Sequence, residues 1–315
     1  MKASSTAAFD IYAAFLTDTH IFVKGRALKT SLQSKDYNQG ILRSLLTSIR
    51  LALSKELKKL TLKLVVNGES YPTITDHEGY FEWSIPINLP TGRSHIGVEL
   101  CSSTDEDAQP TLVKLKTITG ELPIGIISDI DDTVMLTHVK SFFKIRMIFN
   151  TVFINPFKRK PIENAAKFYS KYLAAAPGET PIFYISNSPW NMHHYLTSFL
   201  THHGFPAGIL LLRDFGLQMF KRKQPLIKQN KYLLIVRMLD LFPKTKFILI
   251  GDSAEVDFDI YMKIKYNYPD SISHIIIRKA SNSKNENRIS QSLDDQTRQY
   301  VSIIDGFDDE VVFQN

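Results

Sequence analysis

The stretch IGIISDIDDT, from Ile124 to Thr133, is an apolar strand that ends in a cluster of carboxylates. Side chains at positions i and i+2 of a strand share a face, so the spacing predicts that Asp129 and Asp131 lie side by side at the carboxyl end of the strand. Ligands of open α/β sheets bind at that end. Two adjacent carboxylates repel each other, and a hard cation or a shared proton would offset the repulsion. The segment alone is equally compatible with an acidic turn.

Three later segments also place polar side chains beside apolar runs. They are KFILIGDSAEVD (Lys246–Asp257), PIFYISNSPWN (Pro181–Asn191) and the helical run Tyr232–Phe242 with the lysines before it. The polar residues concerned are Asp252, Asp257, Ser186, Ser188, Lys228 and Lys231. An acidic strand end, a hydroxyl strand end, a helical lysine and a second acidic strand end therefore follow one another along the chain.

This order of motifs resembles the haloacid dehalogenase-like phosphohydrolases, whose motifs are DxDx(T/V), Ser or Thr, Lys, and an acidic GD(x)nD. Further segments are similar to the actin-patch phosphatidate phosphatase family: NTVF (150–153), YISNSPWN, LLLRDFG (210–216), FPKTKFILIGDS and DFDIY. The similarity extends from about Gly125 to Arg278. Two positions differ, because Asn230 stands where the family usually has His and Ala254 where it usually has Gly. The resemblance implies an Mg²⁺-dependent phosphatase that converts phosphatidate to diacylglycerol.

The resemblance also implies a role for each matching residue. Asp129 would be the nucleophile that forms an aspartyl phosphate, and Asp131 would protonate the leaving alcohol and then activate water. Ser186 would hydrogen-bond a phosphoryl oxygen, and Lys231 would stabilise the transition state. The implied metal ligands are Asp129, the backbone carbonyl of Asp131, and Asp252, with Asp257 behind them. The implied substrate-binding residues are Thr133, Asn187 and Arg213.

Several neighbours are weaker candidates for the same roles. Lys228 is the second choice of lysine, and Ser188 competes weakly with Ser186. Strand alternation points Asp132 away from the face of Asp131, so we do not expect it to be catalytic. The pairs His193-His194 and His202-His203 lack the i, i+4 spacing that favours metal binding on a helix.

Composition limits the class of protein. The chain has 315 residues, 43% of them hydrophobic and 22% charged, which is ordinary for a globular protein. Its single cysteine excludes an internal disulfide and a thiolate metal cluster. The first residues do not resemble a signal peptide, and no apolar run reaches the ~20 residues that span a bilayer. A cytoplasmic protein, possibly peripheral on membranes, is the expectation.

The positive charge is concentrated in one part of the chain. The net charge is +6, yet residues 138–232 hold fourteen Lys and Arg against three Asp and Glu. Such a region favours an anionic partner, whether a phosphorylated substrate, an anionic membrane surface or nucleic acid, and also fits a solvated basic face. With the resemblance, we expect the first two and no nucleic acid. Lys140–Lys160 is basic, rich in Phe and free of acidic residues, and is either a membrane-contacting flap or a packed cap.

Two domains are predicted. Residues 1–120 contain short strands and turns, including an Asn67-Gly68 hairpin and a helical stripe over Ile41–Leu60, and indicate a small β-sandwich-like accessory domain with an unknown partner. Residues 121–315 alternate strands with helices and predict a doubly wound parallel α/β sheet carrying the phosphatase site. A phosphatase of a soluble phosphate ester, or a non-catalytic lipid- or protein-docking module, are the alternatives.

Overall fold

The computed structural model describes residues 7–29, 56–87, 98–102, 110–120, 122–136, 156–175, 180–213, 225–253, 256–280 and 285–309. The chain divides into two compact units, Met1–Gly120 and Glu121–Asn315. The described part of the first unit consists of strands and turns, and the second combines a parallel sheet with helices.

The first unit contains two four-stranded sheets. One has the order β5-β2-β1-β8, formed by β1 (Ala8–Leu16), β2 (His20–Leu28), β5 (Tyr80–Pro86) and β8 (Lys116–Thr117). The other has the order β4-β3-β6-β7, formed by β3 (Thr61–Val66), β4 (Glu69–Ile74), β6 (Val98–Ser102) and β7 (Thr111–Leu112). Buried apolar side chains of both sheets form one cluster, as expected of a β-sandwich.

The hairpin between β3 and β4 follows the prediction from Asn67-Gly68. Their φ angles are 50° and 88°, and Val66 pairs with Glu69 across the turn. Positive φ at both central residues is the requirement of a type I′ turn, which Asn-Gly meets at low cost.

One prediction for this unit needs correction, and one strand was not predicted. The predicted helix Ile41–Leu60 is described only over residues 56–60, which form a bridge and a turn with φ of 52° at Lys59 rather than helix. Strand β1 was missed because a bulge between Ile11 and Ala13 interrupts its alternation of apolar residues. The sequence also predicts a strand over Ser94–Leu100; its residues 94–97 lie outside the described residues, and the rest belongs to β6.

The second unit is built on a six-stranded parallel sheet with the order β11-β10-β9-β12-β13-β14. Its strands are β9 (Ile124–Asp129), β10 (Ile182–Pro189), β11 (Ile209–Arg213), β12 (Lys246–Asp252), β13 (Ile272–Arg278) and β14 (Val301–Ile304). In chain order this is the 3-2-1-4-5-6 arrangement of a doubly wound sheet, and the direction of winding reverses between β9 and β12. Ligands of such sheets bind outside the carboxyl ends of the strands at that point.

Five α-helices are described in this unit: α1 (Ala165–Ala175), α2 (His193–His202), α3 (Pro225–Leu241), α4 (Asp257–Asn267) and α5 (Asn285–Ser292). The sequence predicts a helix over Lys231–Phe242, whereas α3 begins six residues earlier, at Pro225. Proline is tolerated in the first turn of a helix because its missing N–H would have no partner there. The sequence predicts a helix over Ile162–Ala176, whereas α1 begins only at Ala165, because Asn164 has φ of 57° and cannot be helical. In the described residues no helix is both long and apolar enough to cross a membrane.

The end of the chain is more ordered than its composition suggests. The sequence predicts an irregular tail with some helix after Ala280, whereas the structure places β14 there as an edge strand beside β13. The segment VSII is short and lies between polar stretches, so its apolar signal is weak. Pairing with an existing sheet edge stabilises it.

Candidate active site

Asp129 and Asp131 are both buried at the carboxyl end of β9. Strand β9 ends at Asp129, and the chain then turns, with φ of 56° at Asp132. The Asp132 amide donates to the Met135 carbonyl at 2.9 Å, and the Val134 amide donates to the Ile130 carbonyl at 2.9 Å. Asp131 therefore lies just past the end of the strand, where it forms an isolated β-bridge with Met135. Asp132 is only half-buried.

Three carboxylates meet at the point where the sheet reverses. Asp129 ends β9, Asp252 ends β12 and Asp257 begins α4; all three are buried, and each offers an oxygen within 4.8 Å of the others. Gly251 makes this packing possible, since a Cβ there would lie 2.5 Å from Asp257 Oδ2. We therefore expect any larger residue at position 251 to displace Asp257.

Lys231 joins two of these carboxylates. Its Nζ donates to Asp129 Oδ1 at 2.6 Å and also to Asp257 Oδ1, and the lysine side chain is 1% exposed. The ammonium also lies 5.9 Å from the centre of the Tyr261 ring. Burial, and then the charge of Asp257, raise the pKa of the Tyr261 phenol well above its usual value, so this group stays neutral. Lys228, the alternative lysine, has no described side chain.

Ser186 contacts Asp131. Its hydroxyl donates to Asp131 Oδ2 at 2.8 Å and accepts a hydrogen bond from the Ser188 amide at 2.9 Å. Both serines are buried in β10, which continues past Ser186 as far as Pro189. Ser188 thus acts through its backbone in this arrangement, and Ser186 is placed to orient the carboxylate of Asp131.

Arg278 was not singled out from the sequence. It ends β13, is 8% exposed, and donates from Nη2 to the Asp132 carbonyl at 2.5 Å and from Nη1 to the Lys279 carbonyl at 2.7 Å. Burial lowers the pKa of this guanidinium, and the charges of Asp252 and Asp132 oppose the shift. A charged residue at the carboxyl end of an apolar strand was the available signal.

The residues expected to bind substrate occupy different places. Thr133 is fully buried in the turn after β9, and its Oγ1 has no hydrogen-bond partner among the described residues. Asn187 lies in β10 next to Ser186 and is partly exposed. Arg213 is buried at the end of β11, the edge strand two positions from β9. Ala254 and residues 150–153 lie outside the described residues.

Only the end of the segment Lys140–Lys160 is described. Its residues Pro156–Lys158 form one 3₁₀ turn, and the Phe157 ring lies 4.6 Å from the ring of His202 on α2. Phe157 is therefore packed against a helix, while Phe142 and Phe143 lie outside the described residues.

The acidic site has the chemistry of a divalent-cation site. Four carboxylates (Asp129, Asp131, Asp252 and Asp257) and two cations, Lys231 and Arg278, are buried in this part of the second unit, which gives a formal charge of −2. Oδ2 of Asp257 is buried with no hydrogen-bond partner in the described part of the chain. Hard carboxylate oxygens grouped in this way suit Mg²⁺. The residues present fit such an ion.

The six-stranded parallel sheet defines a haloacid dehalogenase-like α/β fold. Both strands at its reversal point end in aspartate, and a lysine from a helix contacts this acidic group. Residues 124–279 match the family model described as phosphatidate phosphatase APP1, catalytic domain. The chain belongs to this family through that region.

Two curated relatives are similar to parts of this chain. The chain is 34% identical over 163 residues to phosphatidate phosphatase APP1 of Saccharomyces cerevisiae, covering 52% of this chain and 27% of that protein. It is 30% identical over 215 residues to the uncharacterized protein C29B5.04c of Schizosaccharomyces pombe, covering 65% of this chain and 34% of that protein. The chain thus spans about a third or less of the length of these relatives.

Solved structures are similar only at a low level. The HAD domain of the effector protein Lem4 from Legionella pneumophila gives a TM-score of 0.32 at 17% identity, covering 54% of this chain and 93% of that one. The Pnkp1/Rnl/Hen1 complex gives 0.33 at 16% identity, covering 53% and 52%. Scores this low carry no argument, and the fold class rests on the strand order and the family match.

Proposed function

We propose that residues 121–315 form an Mg²⁺-dependent phosphomonoesterase that works through an aspartyl phosphate, and that phosphatidate is its substrate. The observation that carries the proposal is the buried group of Asp129, Asp252, Asp257 and Lys231 at the reversal point of the sheet. Burying charges costs free energy unless they are paired or coordinate an ion. A docking module would gain nothing from this arrangement, which favours catalysis over the non-catalytic alternative.

Asp129 is the proposed nucleophile. Lys231 donates a hydrogen bond to Oδ1 of its carboxylate, which fixes the orientation of the group for attack on phosphorus. The same ammonium offsets part of the negative charge that would repel a phosphate. The attack forms the bond from Asp129 to phosphorus and breaks the bond to the leaving oxygen.

Asp131 is the proposed acid and base. In the first step it donates a proton to the departing alcohol oxygen, and in the second it accepts a proton from the water that hydrolyses the aspartyl phosphate. The hydrogen bond from Ser186 keeps one of its oxygens in a fixed place. Thr133, Asn187 and Arg213 are proposed to bind the phosphoryl oxygens or the substrate around them.

Mg²⁺ would be held by Asp129, Asp252 and the backbone carbonyl of Asp131, with Asp257 supporting the set. When bound, it neutralises phosphate charge so that an anionic nucleophile can approach.

The choice of phosphatidate rests on the similarity to the yeast phosphatidate phosphatase and to the family of that name. A lipid substrate would require contact with a membrane surface, which we propose to be peripheral and cytoplasmic. Residues 1–120 are proposed to be a scaffold or docking domain, because the described part contains no group of buried carboxylates like that of the second unit.

The test is a phosphate-release assay on a panel of substrates. Phosphatidate in mixed micelles is compared with soluble phosphate esters, each with Mg²⁺ and with EDTA. The proposal predicts release from phosphatidate that requires Mg²⁺. If phosphate is released only from a soluble ester, phosphatidate is not the substrate. If no ester releases phosphate, the result supports a non-catalytic module. Full activity in EDTA would contradict the proposed requirement for Mg²⁺.

A further inference from the structure

Arg278 connects two loops of the site that are far apart in the chain. Its side chain reaches from the end of β13 to the carbonyl of Asp132, in the turn that follows β9. Strand β12 lies between these two strands, so the guanidinium spans the acidic strand end at Asp252. The charge of Asp252 acts on it over this distance.

The backbone of the same residue supports the other acidic loop. The Ser253 amide donates to the Arg278 carbonyl at 3.0 Å, and the Ala280 amide donates to Ser253 Oγ at 3.0 Å. Arg278 thus contacts both the turn after Asp129 and the loop after Asp252.

The turn that Arg278 contacts is conformationally demanding. Asp132 has φ of 56°, a left-handed conformation that costs an L-residue free energy even though Asp tolerates it better than most. The carbonyl of this residue accepts the hydrogen bond from Arg278, and Asp131 directly precedes it. A hydrogen bond from a charged donor is stronger than a neutral one and is suited to holding such a turn.

We propose that Arg278 is a positioning residue that holds the left-handed turn at Asp132 and thereby fixes the carboxylate of Asp131 beside Ser186. The catalytic consequence of this inference rests on the proposed function of Asp131. The stabilisation of the turn by Arg278 does not depend on that function. The effect acts through Asp131, so Arg278 need not touch substrate.

The test combines hydrogen exchange with kinetics on the full chain. In Arg278→Gln, we expect amide exchange in residues 130–136 to rise about 10-fold or more while the melting temperature changes little, and kcat for phosphatidate to fall about 10- to 100-fold with KM unchanged. Arg278→Lys keeps the positive charge but cannot donate to two carbonyls in the geometry of a guanidinium. Its amide exchange in residues 130–136 and its kcat should therefore lie between those of wild type and Arg278→Gln. Lys279→Gln is the matched control, because Lys279 pairs with the exposed Asp305 instead.

The outcomes separate the two proposals. Unchanged exchange in residues 130–136 of Arg278→Gln overturns the positioning role, whatever happens to kcat. A rise in exchange across the whole sheet also overturns it, because Arg278 would then be a general stabiliser. If the wild-type protein releases no phosphate from any ester, the proposed function fails, and the exchange result still decides whether Arg278 holds the turn.

Discussion

Lys231 Nζ lies 2.6 Å from Asp129 Oδ1, and both side chains are almost completely removed from solvent. The lysine reaches this point from α3, whereas the aspartate ends the central strand β9. A second bond from the same ammonium to Asp257 makes the lysine the link between three parts of the chain. The pair therefore serves both stability and the proposed chemistry.

Removing this cation should destabilise the fold. In Lys231→Met, the buried carboxylates of Asp129 and Asp257 lose their ammonium partner, and loss of one partner of a buried pair typically costs about 3–5 kcal/mol. Thermal unfolding in EDTA should show the loss, and added Mg²⁺ should raise the melting temperature more in the variant than in wild type, since it would bind only the folded state. The control is Lys263→Met on the exposed side of α4. Equal melting temperatures for the Lys231 variant and wild type would refute the pairing.

The two adjacent aspartates should differ in kinetics. Asp131→Asn removes the proposed acid and base and should lower kcat by about 10²- to 10⁴-fold. Asp132→Asn should change kcat only a few-fold, because Asn also tolerates the left-handed conformation and retains the carbonyl that Arg278 contacts. Steady-state kinetics on the same substrate compare them. A larger loss of kcat in Asp132→Asn than in Asp131→Asn would indicate that Asp132, rather than Asp131, is the acid and base.

The two serines provide a similar contrast. Ser186→Ala removes the donor to Asp131 and should reduce kcat about 10- to 100-fold, the range expected for a hydrogen bond to a charged group. Ser188→Ala keeps the backbone amide that contacts Ser186, and its kcat should stay within a few-fold of wild type. If the two variants lose kcat equally, the hydrogen bond from Ser186 to Asp131 does not contribute specifically to catalysis.

His274 should make stability depend on pH. Burial, and then Lys265, lower its pKa from 6.5 to about 4, and its Nε2 lies 2.8 Å from Ser302 Oγ. The unfolded chain takes up the proton near pH 6.5 while the folded protein resists it, so stability is full above that pH and falls as the pH drops towards 4. His274→Gln should flatten the unfolding free energy over this window by roughly 2 kcal/mol, allowing for solvent screening. An unchanged pH profile would refute this.

The parallel sheet and the residues of the four motifs could be predicted from the sequence. Strands such as Ile124–Asp129 are continuous apolar runs, which is how buried parallel strands read. The order of acidic, hydroxyl and lysine motifs then placed Asp129, Asp252 and Lys231 in one region, and the structure brings them within hydrogen-bonding or ligand distance.

The remaining details depend on tertiary contacts that no local pattern contains. The left-handed turn at Asp132 follows from its contacts with Met135 and Arg278 rather than from strand period. The contact between Ser186 and Asp131 joins residues 55 positions apart. Arg278 was overlooked because a single charge at a strand end has no meaning until the neighbouring strand is known.

The central claim is that Asp129 becomes covalently phosphorylated. The most direct measurement is to quench the enzyme with acid during turnover of phosphatidate, reduce acyl phosphates with borohydride, and locate the modified residue by peptide mass spectrometry. Modification at Asp129 in wild type, absent from Asp129→Asn, is the predicted result. Phosphate release without modification at Asp129, or substantial turnover by the folded Asp129→Asn protein, would contradict the account.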